Sequence, residues 1–409
     1  MSLAGPRTGL LRSLGSLVIL CGLLWAARGL AAPANPPVAI GIALSFSGPL
    51  ANEGQSMKKG YDLWAERVNA KGGIEVGGAR RPVRLVYYDD QSDATTVAKL
   101  VEKLITEDKV EFIFGPYGSG LTGAASSISE KYQKLMIAPA ANADQLYTRG
   151  YKFFFGVLPP ISQGFALHTN LLANLTPKVK TVAIAYPADL FPSAAAAAAE
   201  KRAKDEGLQV VYSGKYPKGA KDLSAVVTQV KALNPDAFLS PGYFEDITLL
   251  VTQSQRLGFN PKYIGVQLAP GLAKGLGKNA DYLFATSWWE PSAGWKDGYF
   301  GTSTEYNDLF KKAYGADANY FAACASAAGE LLDLAIRKVG SLDPAKIADV
   351  LHVTKVETFF GPVEYDQTGA NRKGSALVIQ FQEGQEAIVW PTTANAKPAK
   401  FPAPPWDKR

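Results

Sequence analysis

Few residues in this chain could do bond chemistry. There are two His and two Cys in 409 residues. That excludes a His-rich metal site and a disulfide scaffold. His168 lies in a helix-like stretch with Phe165 and Leu171, and His352 lies between Leu351 and Val353. Neither has the Ser or Cys and Asp set of a nucleophilic centre, so packing or surface roles are expected. Asp89-Asp90 could bind a metal, but the pair follows a strand, where capping or salt-bridging is expected. The Gly-rich turns do not fit nucleotide motifs either. Gly41-Ile42-Ala43-Leu44-Ser45 does not match G-x-G-x-x-G after the first strand, and Gly115-Pro116-Tyr117-Gly118-Ser119-Gly120 has the wrong spacing. Gly275-Leu276-Gly277-Lys278-Asn279 lacks the upstream Gly and the Ser/Thr of a phosphate loop. No G-x-S-x-G precedes a helix. No enzyme, cofactor or metal is expected. A ligand-binding role is the chemistry left.

Loops rich in Gly, Ser and Ala, placed just before helices, suit that role. They offer free backbone N–H groups to an anion, helped by the helix dipole. The loops expected at the carboxyl ends of parallel strands are residues 45–53, 115–120, 139–143, 187–192, 241–246 and 267–271, and several of them are of this kind. Strands and helices alternate around them. Strands are expected at 38–44, 83–88, 112–114 and 135–138. Helices between them carry Met57, Tyr61, Trp64 and Val68 on one face, then residues 95–107 and 121–134. The pattern restarts with strands at 181–186, 208–212, 237–240 and 263–266, separated by helices at 193–206, 223–233 and 247–257. Helices at 304–314, 320–339 and 344–350 come next, then strand-like runs at 363–365, 376–380 and 387–390, and a Pro-rich tail from Pro391. Alternation of this kind implies βαβ units and parallel sheets. Two α/β sets in one chain place a ligand in the cleft between them.

Composition agrees. Hydrophobic residues make up 47% and charged residues 20%, which is globular and excludes bulk disorder. The net charge is +6. Arg7, Arg12 and Arg28 fall in a segment expected to be removed, leaving about +3, too little for nucleic-acid binding. That segment, residues 1–34, reads as a secretory signal. Arg7 and Arg12 precede a short apolar run at 14–27, and Ala31, Ala32 and Ala34 suit cleavage. An N-terminal membrane anchor is the other reading, disfavoured by the short run. Leu20 before Cys21 argues against lipidation. Cys324 is then the only thiol, expected to be buried and structural in its small-residue helix.

An ordered set of short segments carries a resemblance. These are Ser47-Gly48-Pro49-Leu50-Ala51, Asn69-Ala70-Lys71-Gly72-Gly73-Ile74 and Tyr88-Asp89-Asp90-Gln91-Ser92-Asp93. Phe114-Gly115-Pro116, Ile137-Ala138-Pro139-Ala140-Ala141, Phe360-Gly361-Pro362-Val363, Val389-Trp390-Pro391 and Pro404-Pro405-Trp406 continue it. Together they resemble the leucine/isoleucine/valine-binding type of periplasmic solute-binding protein, which serves ABC importers. The resemblance implies two Rossmann-like lobes joined by a three-segment hinge. The crossings would lie near residues 159–162, 286–291 and 357–362. The first lobe would be 37–160 with 291–357, and the second 161–287 with 361–390. It further implies a periplasmic monomer that closes on a small ligand and docks on a membrane permease. A ligand-sensing receptor domain of the same fold is the alternative from another class.

The resemblance also assigns positions. Ser119 with Gly120, and Ala140, Ala141 and Asn142, match the two loops that hold a ligand carboxylate, with Asn142 where Thr is usual. Ser119 would also cap its helix. The two carboxylates that hold an amino acid's ammonium fall here on Ile161 and Gln267. An unpaired buried ammonium is costly, so a small organic acid is expected in place of an α-amino acid. Glu53 or Asp246 could restore the charge; otherwise Glu53 is a solvated loop charge. Phe191, Tyr243 and Tyr320 match pocket walls, with Phe46, Phe244, Trp288 and Trp289 near the cleft or hinge. Such walls suit a flat or bulky apolar group. An apolar amino acid or an amide is the alternative ligand.

Overall fold

The computed structural model describes residues 35–392 and 395–409, so the expected signal segment lies outside the described residues. From Pro37 onward the chain forms one compact unit. It contains two large sheets. In the first, parallel strands Val38–Leu44 and Phe112–Phe114 sit at the centre, flanked by Val83–Asp89 on one side and by Met136–Ala138 and Phe154–Gly156 on the other. The first strand is buried at all seven positions, as a strand covered on both faces must be. In the second sheet, Thr181–Pro187, Gln209–Tyr216, Ala237–Ser240, Tyr263–Gln267 and Leu283–Ser287 run parallel. Leu377–Gln382 and Gln385–Trp390 add an antiparallel edge.

The helix Ala51–Ala70 buries Met57, Tyr61, Trp64 and Val68, as their three- and four-residue spacing requires. Tyr61 stacks on Phe114 at 4.9 Å between centroids. Against this helix lies Tyr320–Val339, from the far end of the chain. Their close approach depends on glycine. A Cβ on Gly60 would land on the Ala322 carbonyl oxygen, while the Gly60 carbonyl accepts from Ser326 Oγ at 2.6 Å.

Three passages connect the sheets. The first runs through residues 157–160, the second through 288–290, the third into Leu377–Gln382. The third lies later than expected. Residues 357–362 are the closed end of an antiparallel hairpin, Lys355–Thr358 with Gly361–Glu364, turning at Phe359-Phe360. Beyond the hairpin the chain stays with the first sheet: Gly156 N–H donates to the Gly369 carbonyl, and Phe155 packs on Tyr365 at 5.2 Å. Asn371 Nδ2 then donates to the Val157 carbonyl at 2.9 Å, so the first and third passages run side by side.

Several elements differ from expectation. The hairpin Ile74–Val76 with Ala79–Arg81 and the strands Phe154–Gly156 and Leu283–Ser287 are additions to the expected set. The Ala-rich helix starts at Leu190, capped by Asp189, so Pro192 lies inside its first turn, where a proline costs no helical bond. The tail is tied to the second sheet's lobe by Ala403 N–H to the Lys262 carbonyl and Trp406 Nε1 to the Phe259 carbonyl. No helix among the described residues is long and apolar enough to cross a membrane.

Gly60→Ala is expected to force the two helices apart and cost about 1–3 kcal/mol, as overpacking does. Urea denaturation monitored by Trp fluorescence measures it; an unchanged midpoint would mean the helices yield freely.

Candidate functional site

Parallel strands point their carboxyl ends, and hence their loops, at the space between the sheets. Ser119 is the first residue of the helix Ser119–Lys131, after the strand Phe112–Phe114. It does not cap that helix. Gly118 holds the cap position at φ +82°, and Ser119 Oγ instead accepts from the amides of Asn142 at 3.1 Å and Ala143 at 3.0 Å. Both oxygen lone pairs are thereby used, which leaves the hydroxyl proton to give. The amides of Ser119, Gly120 and Leu121, in the first helical turn, find no acceptor among the described residues. Asn142 is held in turn: its Nδ2 donates to the Pro159 carbonyl at 2.8 Å, and its own carbonyl accepts from Ile161 at 2.8 Å.

This donor wall bounds a narrow, partly enclosed cavity of about 10 Å³, room for about one water molecule, so a larger solute must part its walls to enter. Of the expected residues, Ser119, Ala140 and Asn142 line it from the first sheet's loops. Phe191, Tyr243 and Gln267 line it from the second's, and Tyr320 from the helix Tyr320–Val339. The remaining walls are Tyr117, Gly118, Leu158 and Trp288. Tyr117 was legible as the aromatic inside the Gly-rich loop; Leu158 carried no signal. Tyr117 packs edge-on against Tyr243 at 6.1 Å, and Phe191 tilts on Tyr243 at the same distance. Tyr243 Oη donates to Asp189 Oδ2 at 3.1 Å, which also meets Lys218 Nζ at 2.7 Å. Among the described residues no carboxylate, Lys or Arg lines the cavity.

Several expected residues are not on its wall. Phe46 tilts on Tyr87 at 5.9 Å, with its amide on Asp89. Gly120 faces away from it, toward Asp189 Oδ1. Ala141 and Ile161 are buried behind it. Glu53 is no solvated charge: it is 0% exposed, and its carboxyl oxygens make no close hydrogen bond, only weak contacts with its own amide and that of Phe244. Burial drives its pKa up to about 7; its own backbone amide offsets this in part, Glu245 adds to it, and the Phe244 amide offsets a little more. Its charge adds to the burial that raises the pKa values of Tyr117, Tyr243 and Tyr320, so it lies near the aromatic wall without lining the cavity. Asp246 is occupied, accepting the Tyr243 amide at 3.1 Å.

The other residues weighed for chemistry are structural. His168 is buried, with Nδ1 at 2.6 Å from Tyr263 Oη and Nε2 at 3.0 Å from Thr286 Oγ1. Burial pushes its pKa down to about 3, so it is neutral. His352 Nδ1 meets the Asp366 carbonyl. Asp89 accepts the Phe46, Ser47 and Gln91 amides, and Asp90 the Ser45 hydroxyl and the Ser92 amide; together they pin the loop after the first strand without a salt bridge. Trp289 is lobe packing, its Nε1 on the Phe359 carbonyl. Cys324 is buried. Among the described residues no group of three His, Cys, Asp or Glu could hold a metal. A larger, open cleft beside the cavity is lined by Glu290, Asp317 and Glu386, and burial pushes the pKa values of the two Glu up.

Residues 37–386 match the family described as periplasmic binding protein, and the chain belongs to that family. The Leu/Ile/Val-binding protein homolog 7 of Brucella abortus (strain 2308) is 27% identical over 393 residues, 91% of this chain and 96% of that protein. A leucine binding protein from Thermotoga maritima is 25% identical, with a TM-score of 0.77 over 86% of this chain and 97% of its own. A solute binding protein of an ABC transporter from R. palustris, solved in complex with benzoate, is 18% identical, with a TM-score of 0.74 over 89% of this chain and 98% of its own. The architecture is the type I fold of the family, parallel sheets flanked by helices.

Ser119→Ala strands two buried amides, those of Asn142 and Ala143. It is expected to cost about 2 kcal/mol of stability without any solute, since each orphaned donor costs about 1–3 kcal/mol. Thermal unfolding tests this, and an unchanged transition would show that the loop amides find other acceptors. Glu53 adds a pH dependence. Its folded pKa lies above its unfolded value of 4.5, so between about pH 4.5 and 7 the folded chain holds more protons and loses stability as pH rises. Glu53→Gln should therefore stabilise at pH 8, by up to about 3 kcal/mol, and hardly at all at pH 4.5. Melting curves across that range check it; equal gains at both ends would show that Glu53 does not titrate there.

Proposed function

We propose that this protein is the substrate-binding component of an ABC importer. It captures a small carboxylate-bearing solute between its lobes by hinge closure and delivers it to a membrane permease from the periplasm. The solute is an organic acid with an aromatic or bulky apolar body. The single observation that supports this most is the cavity's wall chemistry. One side offers the Ser119 hydroxyl and the unpaired Ser119 amide at the start of its helix, a seat for a carboxylate. Apart from the carboxamides of Asn142 and Gln267 the rest is aromatic or apolar, and among the described residues no charged side chain lines it. A buried ammonium would have no carboxylate on the wall, and leaving a charge unpaired in such a place costs several kcal/mol. The R. palustris protein solved with benzoate, which shares this fold, agrees with an aromatic acid in this architecture.

A second reading is an apolar amino acid, as the names of the Brucella and Thermotoga relatives suggest. One observation favours it: the buried Glu53 carboxyl, without a close hydrogen bond, near the aromatic wall.

Thermal unfolding of the mature protein, stripped of co-purified solute by unfolding and refolding, separates the readings. Matched pairs are used: phenylalanine against 3-phenylpropanoate, leucine against 4-methylpentanoate. A solute at a hundred times its Kd stabilises by about 2.7 kcal/mol. The acids are expected to raise the transition and the amino acids not. The reverse result would discard the organic-acid reading and make Glu53 the residue to mutate.

A further inference from the structure

Gln267 ends the strand Tyr263–Gln267 and is 2% exposed on the cavity wall. Its amide nitrogen gives both protons to the protein, one to the Thr286 carbonyl at 3.0 Å and one to Tyr320 Oη at 3.1 Å. The Thr286 carbonyl can only accept, so the nitrogen must face it, and the amide cannot turn over. Oε1 is thereby fixed, buried and without a partner. Nearby hydroxyls do not reach it: Tyr243 Oη donates to Asp189 and Tyr320 Oη faces the Leu268 carbonyl at 3.5 Å. A buried acceptor with no donor is a standing penalty that a complementary group would relieve.

The cavity is therefore two-sided. The Ser119 side gives protons and the Gln267 side takes one. We propose that the solute carries, besides its carboxylate, a neutral hydrogen-bond donor that Gln267 Oε1 accepts, which makes hydroxylated carboxylic acids the favoured class. This rests on the organic-acid reading above. A neutral amide oxygen is a sufficient partner for a hydroxyl and a poor one for an ammonium, which keeps its full charge to be desolvated. A site built around such an acceptor rejects the analogue that lacks the donor, because the acceptor is then left unpaired.

The test is titration calorimetry on the mature, solute-stripped protein with two series. One is 3-phenylpropanoate, 2-hydroxy-3-phenylpropanoate and phenylalanine; the other is benzoate with its three monohydroxy isomers. At least one hydroxylated acid is expected to bind about 10-fold or more tightly than its unsubstituted parent. In Gln267→Met, similar in length and without an acceptor of comparable strength, that preference should fall to within about three-fold, while the parent acid still binds. The wild-type comparison stands even if the variant fails to fold. Parents and hydroxylated acids binding equally would overturn the inference and mean that a water serves Oε1. A preference that survives in Gln267→Met would overturn it as well. If no carboxylate in either series binds, the organic-acid reading fails and takes this inference with it, a result distinct from binding without preference.

Discussion

A single hydroxyl holds the donor side of the site together. Ser119 Oγ takes the amides of Asn142 and Ala143, which come from the next strand's loop. Asn142 in turn grips Pro159 and Ile161, where the chain first leaves the first sheet. One polar chain thus runs from a helix N-terminus, through a second loop, to the passage between the sheets. Parallel strands bring these loops to one edge, but they do not fix them there. The buried hydrogen bonds do, because breaking any of them strands a donor away from water. The same bonds leave the hydroxyl proton and the Ser119 amide unused on the cavity wall. On the proposed reading, structural satisfaction and ligand recognition are a single arrangement.

Neutrality is the second constraint. The cavity is closed by Tyr117 against Tyr243 and by Phe191, Trp288 and Tyr320, and among the described residues no charged side chain lines it. In so narrow a space an unpaired charge would be expensive, so the polar groups are hydroxyls, amides and carboxamides. Glu53 is the exception near the wall, and its raised pKa reflects what burial without a close partner costs. Asp189, the charged group that reaches Tyr243 on the wall, is answered by Lys218 and by Tyr243 Oη.

The passages between the sheets depend on the same matching of buried polar groups and close packing. Asn371 spans from its own loop to the Val157 carbonyl, and Trp288 packs its ring edge on Gly164, where any side chain would collide. The segments are thus tied by a few specific contacts near the cavity, so a solute bound there sits close to the place where the lobes are joined.

Much of this was legible in the sequence. Alternation of short apolar runs with helical stripes determined two α/β sets, because periodicity reflects which faces are covered. The ordered short segments determined the family, and residue type alone argued against catalysis. Loop positions before helices, with the family resemblance, marked Ser119, Ala140 and Asn142 as an anion seat. Only the tertiary structure decided the rest. That Ser119 accepts from a distant loop, and does not cap its own helix, depends on where Asn142 comes to lie. That Glu53 is buried without a close partner depends on what the fold packs over the start of its helix. That the third passage runs beside Val157, beyond the hairpin at 357–362, depends on strand pairing. That Gln267 has a carbonyl to spare depends on Thr286 and Tyr320, 19 and 53 residues away. A sequence lists which groups can donate and accept; only the fold decides which of them are left without partners, because partners are chosen by proximity in space.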